Sequence, residues 1–390
     1  MDKNRKRKLK ALARLMNRQN EIPVPVNQQM LECFDLVMDD READFLLAMG
    51  TGEHERRNLV GLWQGGADTF AAGLDGLLRK GLVWKRKQKD GRETFSLPAI
   101  MVGWFELTLA RGLEDEKERE FVKRLDALFR SYGDLNVWPI RAASPLFLKF
   151  FSRPFQSIAP IPESARKKRK RVVKVNRELA ESVQAVLPTA DVKALIERAD
   201  SQGRLGVMHC FCRQWRKMAD EPCRFGMPAE ACIVMGHFAD MVCEYGFGRR
   251  IGKEEAGAII EKVRDAGGVH TVVHERDDHR MEEIAVCNCC WDCCGVLGSY
   301  NRGILPLYLA CFARAVADPE KCVGCGTCEK FCPVAAVTVE DEKARINVSL
   351  CIGCGQCAHQ CPKRAFSMQA DQRHLLLPLL PPEKARIKRA

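Results

Sequence analysis

The sequence CVGCGTCEKFCP (322–333) decides the architecture of the C-terminal part of the chain, because its cysteine pattern returns as CIGCGQCAHQCP (351–362). Each cysteine of the first copy recurs 29 residues later, as Cys322 does at Cys351. Glycines stand between the first three cysteines of both copies, where a ligand loop must bend sharply and leave its amides accessible. The two stretches are therefore an internal repeat of one ligand loop with its supporting segments.

The spacing inside each copy suits iron–sulfur chemistry. Gaps of two, two and three residues before a Cys-Pro pair direct three thiolates to one cluster, while the fourth cysteine turns to the neighbouring cluster. Residues 319–368 resemble the bacterial two-cluster ferredoxin, which implies two 4Fe–4S clusters in a small unit of β-hairpins and helices. By that resemblance one cluster is bound by Cys322, Cys325, Cys328 and Cys361. The other is bound by Cys351, Cys354, Cys357 and Cys332.

Zinc bound by CxxC pairs is the main alternative interpretation of the repeat. Zinc needs four ligands per site, but it gives no reason for the proline that follows the last cysteine of both copies. A thioredoxin-type dithiol is a further alternative. None of the eight cysteines is replaced by Asp or Ala, so we expect no cluster with a missing iron.

The remaining cysteines also indicate metal chemistry. Nineteen of the 20 cysteines lie at or after Cys210. The N-terminal sequence MDKNRKRKLK lacks the apolar segment of a secretory signal, and no stretch is long and apolar enough to predict a membrane span. We therefore expect a cytoplasmic protein, whose reducing surroundings favour cysteines as metal ligands rather than as disulfides.

Two further groups of cysteines precede the repeat. The first follows His209 and begins with a CxCR motif that ends at Arg213, whose charge would offset that of a thiolate cluster; the second is CNCCWDCC (287–294). Adjacent residues point in different directions, so only some of the five thiols in 287–294 can share one metal centre. We predict one or two additional iron–sulfur clusters. The candidate ligands are Cys210, Cys212, Cys223, Cys232, Cys287, Cys289, Cys290, Cys293 and Cys294. The isolated Cys33, Cys243 and Cys311 are expected to be small buried apolar side chains.

The order of these motifs over residues 172–368 resembles a group of 4Fe–4S proteins from anaerobes, in which a cysteine-rich domain precedes the ferredoxin repeat. The resemblance implies a redox protein with several clusters that acts in anaerobic metabolism, and it names no substrate. The sequence has no G-x-G-x-x-G after a strand and no P-loop lysine motif, so neither dinucleotide binding nor nucleotide hydrolysis is supported. Clusters without a hydride-accepting cofactor must exchange electrons with a partner protein.

The N-terminal region has a different pattern. Acidic residues Asp39, Asp40 and Glu42 suit a helix start, further helices are predicted over 55–63 and 69–80 behind an Asp68 cap, and two strands flank Asp90-Gly91. Three helices and a β-hairpin resemble a winged helix. Outward positions of the third helix are acidic or small, which suits base recognition poorly, whereas the basic hairpin suits phosphate contacts. Protein docking is the favoured role and DNA binding the alternative.

The net charge of +11 comes from two local runs. Residues 1–10 hold six Lys or Arg and residues 166–174 hold seven, which leaves 49 basic against 50 acidic side chains elsewhere. Such runs predict a solvated tail and a solvated linker, with an anionic partner as the alternative.

These features predict an α+β fold with three parts: a winged-helix-like domain, a mainly helical cysteine-rich middle domain and a C-terminal two-cluster ferredoxin fold. The expected boundaries are 1–29 for a basic tail, 30–110 for the winged-helix-like domain, 111–175 for a helical bridge and basic linker, 176–315 for the cysteine-rich domain, 316–370 for the ferredoxin domain and 371–390 for a C-terminal tail.

The predicted function is single-electron transfer, as an electron-transfer protein or an oxidoreductase subunit rather than a self-sufficient enzyme. Its expected partner is a redox protein, such as a flavoprotein or a larger oxidoreductase complex. Two alternatives stay open at this point. One is an oxidoreductase whose atypical cluster binds substrate, and the other is a redox-responsive winged-helix transcription regulator.

Overall fold

The computed structural model describes residues 1–19, 24–88, 90–137, 184–187, 189–274, 283–378, 380 and 382–387. The basic run 166–174 and the proline-rich connection that precedes it lie outside these residues. No helix in the described part of the chain combines the length and the hydrophobicity needed to cross a membrane.

The N-terminal part consists of helices and a three-stranded antiparallel sheet in the order β1-β3-β2. Its elements are α1 (Lys3–Asn17), α2 (Gln28–Val37), α3 (Asp40–Met49), β1 (Glu53–Glu55), α4 (Arg56–Leu59), α5 (Ala67–Arg79), β2 (Trp84–Lys87), β3 (Glu93–Ser96), α6 (Phe105–Thr108) and α7 (Glu116–Val137). The predicted hairpin around Asp90-Gly91 is present, and Gly91 has the positive φ of 83° that its turn requires.

The structure agrees with some of the helix boundaries predicted for the N-terminal region and differs from others. Asp39 caps α3 in a capping box with Glu42, as the acidic pattern indicates. The helix expected over 55–63 is shorter, because β1 occupies Glu53–Glu55 and a 3₁₀ turn follows α4 at Val60–Leu62. Helix α5 begins two residues earlier than predicted, so Asp68 lies inside its first turn and Gly66 takes the cap position.

The prediction of a solvated basic tail is wrong for residues 3–17, which form α1. Leu9, Leu12 and Met16 recur at helical spacing and are fully buried. Two basic residues at the edge of this stripe are paired, since Arg5, itself buried, contacts Asp35 at 2.9 Å and Lys8 contacts Asp44 at 2.8 Å. An apolar stripe within a highly charged segment therefore docks this helix on the N-terminal core.

Residues 111–175 were expected to form a helical bridge and linker. Helix α7, which lies in this range, instead packs into the N-terminal core. Its Ser131 accepts a hydrogen bond from Asn27 at 2.7 Å, and the Tyr132 hydroxyl donates to the carbonyl of Pro25 at 2.8 Å. These contacts hold α7 against the segment that leads into α2.

The middle and C-terminal parts share one eight-stranded sheet. The elements are β4 (Gln184–Leu187), α8 (Thr189–Ser201), β5 (Leu205–His209), α9 (Phe211–Met218), β6 (Glu230–Met235), α10 (Gly236–Glu244), β7 (Gly248–Arg250), α11 (Lys253–Asp265), β8 (Val269–His274), β9 (Glu283–Cys289), α12 (Leu297–Asn301), β10 (Leu307–Ala317), α13 (Thr327–Phe331), β11 (Val337–Glu340), β12 (Lys343–Ile346), α14 (Gln356–Gln360) and β13 (Phe366–Leu377). The strand order is β13-β10-β4-β8-β9-β6-β5-β7.

This sheet corrects the prediction of a mainly helical middle domain. Short runs such as EACIVM (230–235) and EIAVCNC (283–289) are buried strands, which periodicity alone does not separate from helix segments. Helices α8 and α11 pack on one face, where Ile196 and Ile260 meet Ile233. The other face packs against α10 and the N-terminal core, where Val234 lies in the same cluster as Phe238.

The expected C-terminal tail is also largely ordered into the fold. Strand β13 continues to Leu377 and pairs antiparallel with β10 along most of its length. Beyond it, Ile387 is buried and the Arg386 guanidinium lies 4.3 Å from the centre of the Trp291 ring. Strand β10 also pairs in parallel with β4, so the ferredoxin-type unit continues the sheet of the cysteine-rich region.

Candidate metal centres

The eight cysteines of the repeat surround two concavities. The first is lined by Cys322, Cys325, Cys328 and Cys361. The second is lined by Cys332, Cys351, Cys354 and Cys357. The fourth cysteine of each copy therefore faces the three-cysteine loop of the other copy.

Backbone amides point at the cysteine sulfurs in a repeated way. The amide of Ala336 donates to Cys332 Sγ at 3.1 Å, and the amide of Ala365 donates to Cys361 Sγ at 3.3 Å. In each copy the donor lies four residues after the cysteine. Such N–H groups stabilise negative thiolate sulfur, and four soft sulfur ligands around each concavity fit an iron–sulfur cluster.

The two concavities differ in their access to solvent. Cys325 of the first is exposed, and its neighbour Val323 is 57% exposed. At the second, the buried Gln356 holds the cluster loop against the end of α11, because its Nε2 donates to the carbonyls of Gly268 at 2.6 Å and Arg264 at 3.1 Å. The first centre therefore has an exposed cysteine at its edge, whereas the cysteines of the second are buried or half-buried.

The comparison with family models agrees with this geometry. Residues 314–362 match the model of a 4Fe-4S dicluster domain. All eight cysteines of the repeat fall within the matched range. The chain thus carries a dicluster domain, and this domain indicates iron–sulfur electron transfer. A search of curated proteins and a search of solved structures gave no match.

The nine candidate ligands upstream of the dicluster domain fall into separate groups. Strand β9 places Cys287 and Cys289 on one face of the sheet, and Asn288 on the other, as the strand period of two requires. We define the inner thiol group as four cysteines whose side chains form a chain of contacts: Cys210 with Cys212, Cys212 with Cys294, and Cys294 with Cys289. Cys232 and Cys287 interact as a pair next to it.

Local backbone features bring the inner thiol group together. Cys210 precedes α9 and Cys212 lies in its first turn, while Cys294 lies just before α12. Gly295 permits the close approach, because a Cβ there would lie 3.2 Å from Cys212 Sγ. The side-chain hydrogen bond from Cys212 lowers the pKa of Cys210 to about 6, and those from Cys212 and Cys289 lower the pKa of Cys294.

We define the outer thiol group as Cys223, Cys290 and Cys293. Their three Sγ atoms all lie within 4.8 Å of one another, and Cys223 and Cys290 are 3.7 Å apart. Hydrogen bonds from Cys290 and Cys293 lower the pKa of Cys223. This group lies on the side of the sheet where Val263 of α11 packs, whereas Cys212, Cys232 and Cys287 pack against the N-terminal core.

A buried guanidinium links the two groups electrostatically. Arg213 is 6% exposed and donates to the carbonyls of Asn288, at 3.1 Å, and Pro228. Burial by itself would lower its pKa, but the thiolates of Cys210, Cys293 and Cys223 outweigh burial and raise the pKa. Arg213 is therefore placed to offset thiolate charge in both groups, which is the role that the sequence pattern suggests.

His270 and two of the three isolated cysteines lie in the interior. His270 Nδ1 lies 2.7 Å from Asn288 Oδ1, and burial lowers the His270 pKa to about 4. Cys33 and Cys311 are fully buried, as predicted, and burial raises the pKa of each to about 12. Cys243 is only half-buried.

One signal in the sequence analysis was missed. Within CNCCWDCC, Cys290 and Cys293 form a CxxC pair of the spacing common in metal-binding turns, and Cys289 and Cys294 flank it. In the structure Cys290 and Cys293 belong to the outer thiol group, and Cys289 and Cys294 belong to the inner thiol group. The partner of this CxxC, Cys223, is 67 residues distant in the chain, so spacing does not identify it.

Proposed function

We propose that this chain is an electron-transfer protein or an oxidoreductase subunit that relays single electrons through the two clusters of the dicluster domain to a further iron–sulfur cluster in the middle region. The ligand sets proposed for the dicluster domain are the two sets of four cysteines that line the two concavities. The further cluster is proposed to be bound by the inner thiol group, with Cys232 and Cys287 beside it.

The observation that carries this proposal is the continuity of the interior. Cys289 and Cys294 belong to the same buried cluster of side chains as Cys332, Cys351 and Cys357 of the dicluster domain. Electron transfer between clusters needs short separations through packed protein, and this interior supplies a packed path.

A buried polar contact joins the middle region to the dicluster domain. Asn301 has no exposed surface, and its Nδ2 donates to the carbonyl of Leu297 at 2.8 Å and to that of Pro333 at 3.1 Å. Helix α12 begins three residues after Cys294, and Pro333 follows Cys332 directly. The contact therefore fixes the position of Cys294, a proposed ligand of the further cluster, relative to Cys332, a proposed ligand in the dicluster domain.

Electrons enter or leave at the first cluster under this proposal, because Cys325 and Val323 are exposed there. The partner is a redox protein of the cytoplasm, such as a flavoprotein or a larger oxidoreductase complex.

Protein docking, rather than DNA binding, is the proposed role of the N-terminal part. Strand β2 is turned toward the middle region, because Lys85 forms an ion pair with Glu244 and the Trp84 ring lies 5.0 Å from that of Phe238. Lys85 is thereby engaged within the chain. The exposed start of α5 offers Ala67, Asp68 and Thr69, which lack the long basic or amide side chains that reach base edges.

The experiment is a reductive titration of the full chain, purified anaerobically and analysed for iron and acid-labile sulfide. EPR spectra recorded during the titration count the electrons that each chain accepts. We expect at least one electron more than the two that two 4Fe–4S clusters accept (about one electron per cluster). The Cys294→Ser variant is expected to lose the extra electron and its EPR signal while both dicluster signals remain.

The matched control is Cys243→Ser, which changes a half-buried cysteine outside every group described above. It should titrate as the wild type does. A Cys294→Ser protein with the wild-type electron count would show that the inner thiol group holds no redox cluster.

A further inference from the structure

The outer thiol group brings three metal-ligand atoms close together. Over the described residues it is the only set of three or more His, Cys, Asp or Glu side chains whose ligand atoms all approach within 4.8 Å. The eight cysteines of the dicluster domain are all described, and none of them forms such a set. The outer group therefore differs in geometry from the cluster sites of the same chain.

Sulfur separation distinguishes one metal ion from a cluster. A tetrahedral ion with metal–sulfur bonds of about 2.3 Å holds its thiolates about 3.8 Å apart. In a 4Fe–4S cluster each thiolate binds a different iron, so the thiolates stand farther from one another. The observed 3.7 Å between Cys223 Sγ and Cys290 Sγ matches one shared ion.

The surroundings hold these sulfurs in place. The Asp292 amide donates to Cys290 Sγ at 3.3 Å. The buried Asp292 carboxylate accepts from the Arg224 amide at 3.1 Å and from its guanidinium at 3.0 Å, which ties the loop that carries Cys223 to the turn that carries Cys290 and Cys293. Supporting contacts of this kind orient metal ligands.

We propose that Cys223, Cys290 and Cys293 bind one mononuclear zinc ion, separate from the iron–sulfur clusters. Zinc prefers tetrahedral thiolate sites and undergoes no redox change, so it would not interrupt the relay. Three thiolates leave one position of the tetrahedron for a water molecule, and Cys223 is the least buried of the three. Arg213 lies against Cys293 and offsets the excess negative charge of three thiolates on a divalent ion.

The experiment measures zinc and iron together in the full chain, purified anaerobically without chelators. The wild type is expected to hold about one zinc ion per chain, and Cys223→Ser and Cys290→Ser are expected to lose at least four-fifths of it with iron unchanged. Cys243→Ser is the control and should retain both metals. X-ray absorption at the zinc edge of the wild type should show three sulfur neighbours at about 2.3 Å and one lighter atom.

Two results would overturn the proposal. Loss of iron at constant zinc in the Cys223 and Cys290 variants would assign the outer group to a cluster. Wild-type protein with no bound zinc, or a disulfide between Cys223 and Cys290 in mass spectra, would exclude a metal ion there. The X-ray absorption measurement uses the wild type, so it tests the zinc site even if a variant misfolds. Neither result bears on the electron count of the relay, which is measured independently.

Discussion

Gln356 is expected to dock the second cluster loop of the dicluster domain on the middle region. Its Nε2 donates to the carbonyls of Gly268 and Arg264, and only 2% of its surface is exposed. In Gln356→Leu both carbonyls lose this donor, although the Arg264 carbonyl keeps the amide of Gly267 at 3.0 Å. A buried group left without its partner costs about 1–3 kcal/mol, so we expect a loss of about 2 kcal/mol.

The matched control is Gln360→Leu, one turn later on α14. Gln360 donates to the Asp265 carbonyl at 3.1 Å in an exposed contact, and its contacts with the Arg264 carbonyl and with Gln356 Oε1 are long, at 3.5 Å, so its loss should cost less than about 0.5 kcal/mol. For a cooperative unit of about 200 residues, 2 kcal/mol corresponds to a fall in Tm of about 5 °C. Anaerobic thermal unfolding followed by cluster absorbance measures both variants. Equal shifts for Gln356→Leu and Gln360→Leu would refute the proposed docking role.

Further predictions concern charge, acidity and access. Arg213→Met should destabilise the protein by about 3–5 kcal/mol, seen as a lower denaturation midpoint, because it leaves buried thiolates without a counter-charge; an unchanged midpoint would contradict this. Burial raises the pKa of Glu106 to about 6 from 4.5, so the folded state binds more protons, and stability should fall by at most about 2 kcal/mol as pH rises from 4.5 through 6. Glu106→Gln should flatten that dependence in anaerobic denaturation curves, and an unaltered curve would count against it. A large anionic oxidant should bleach the cluster at Cys325 before the cluster at Cys354, because Cys325 is exposed. The EPR signal that is lost in Cys354→Ser identifies the second cluster. Simultaneous bleaching of both clusters would be inconsistent with the difference in exposure.

The ligand loops could be predicted from sequence because their geometry is local. Each loop sets its thiolates by fixed gaps and by glycines such as Gly326 and Gly355, which have φ values of 75° and 78° at the start of α13 and α14. The only long-range relation, the exchange of the fourth cysteine between copies, is encoded by the repeat itself.

The arrangement of the middle region could not be predicted in the same way. Its thiol groups form between residues far apart in the chain, as Cys223 and Cys290 do, and the sheet decides which side each cysteine faces. Strands such as 230–235 are too short and too apolar for periodicity to define. Helix α1 was missed for a different reason, because the charge of its exposed side concealed the stripe that contains Leu9 and Leu12.

The most direct test of the central claim is the iron and sulfide content of the full chain, prepared without oxygen, together with its EPR spectrum after reduction. We predict about eight iron and eight sulfide atoms from the dicluster domain, further iron from the inner thiol group, and signals from interacting reduced 4Fe–4S clusters. Colourless protein that holds zinc in place of iron at the dicluster cysteines would contradict the account.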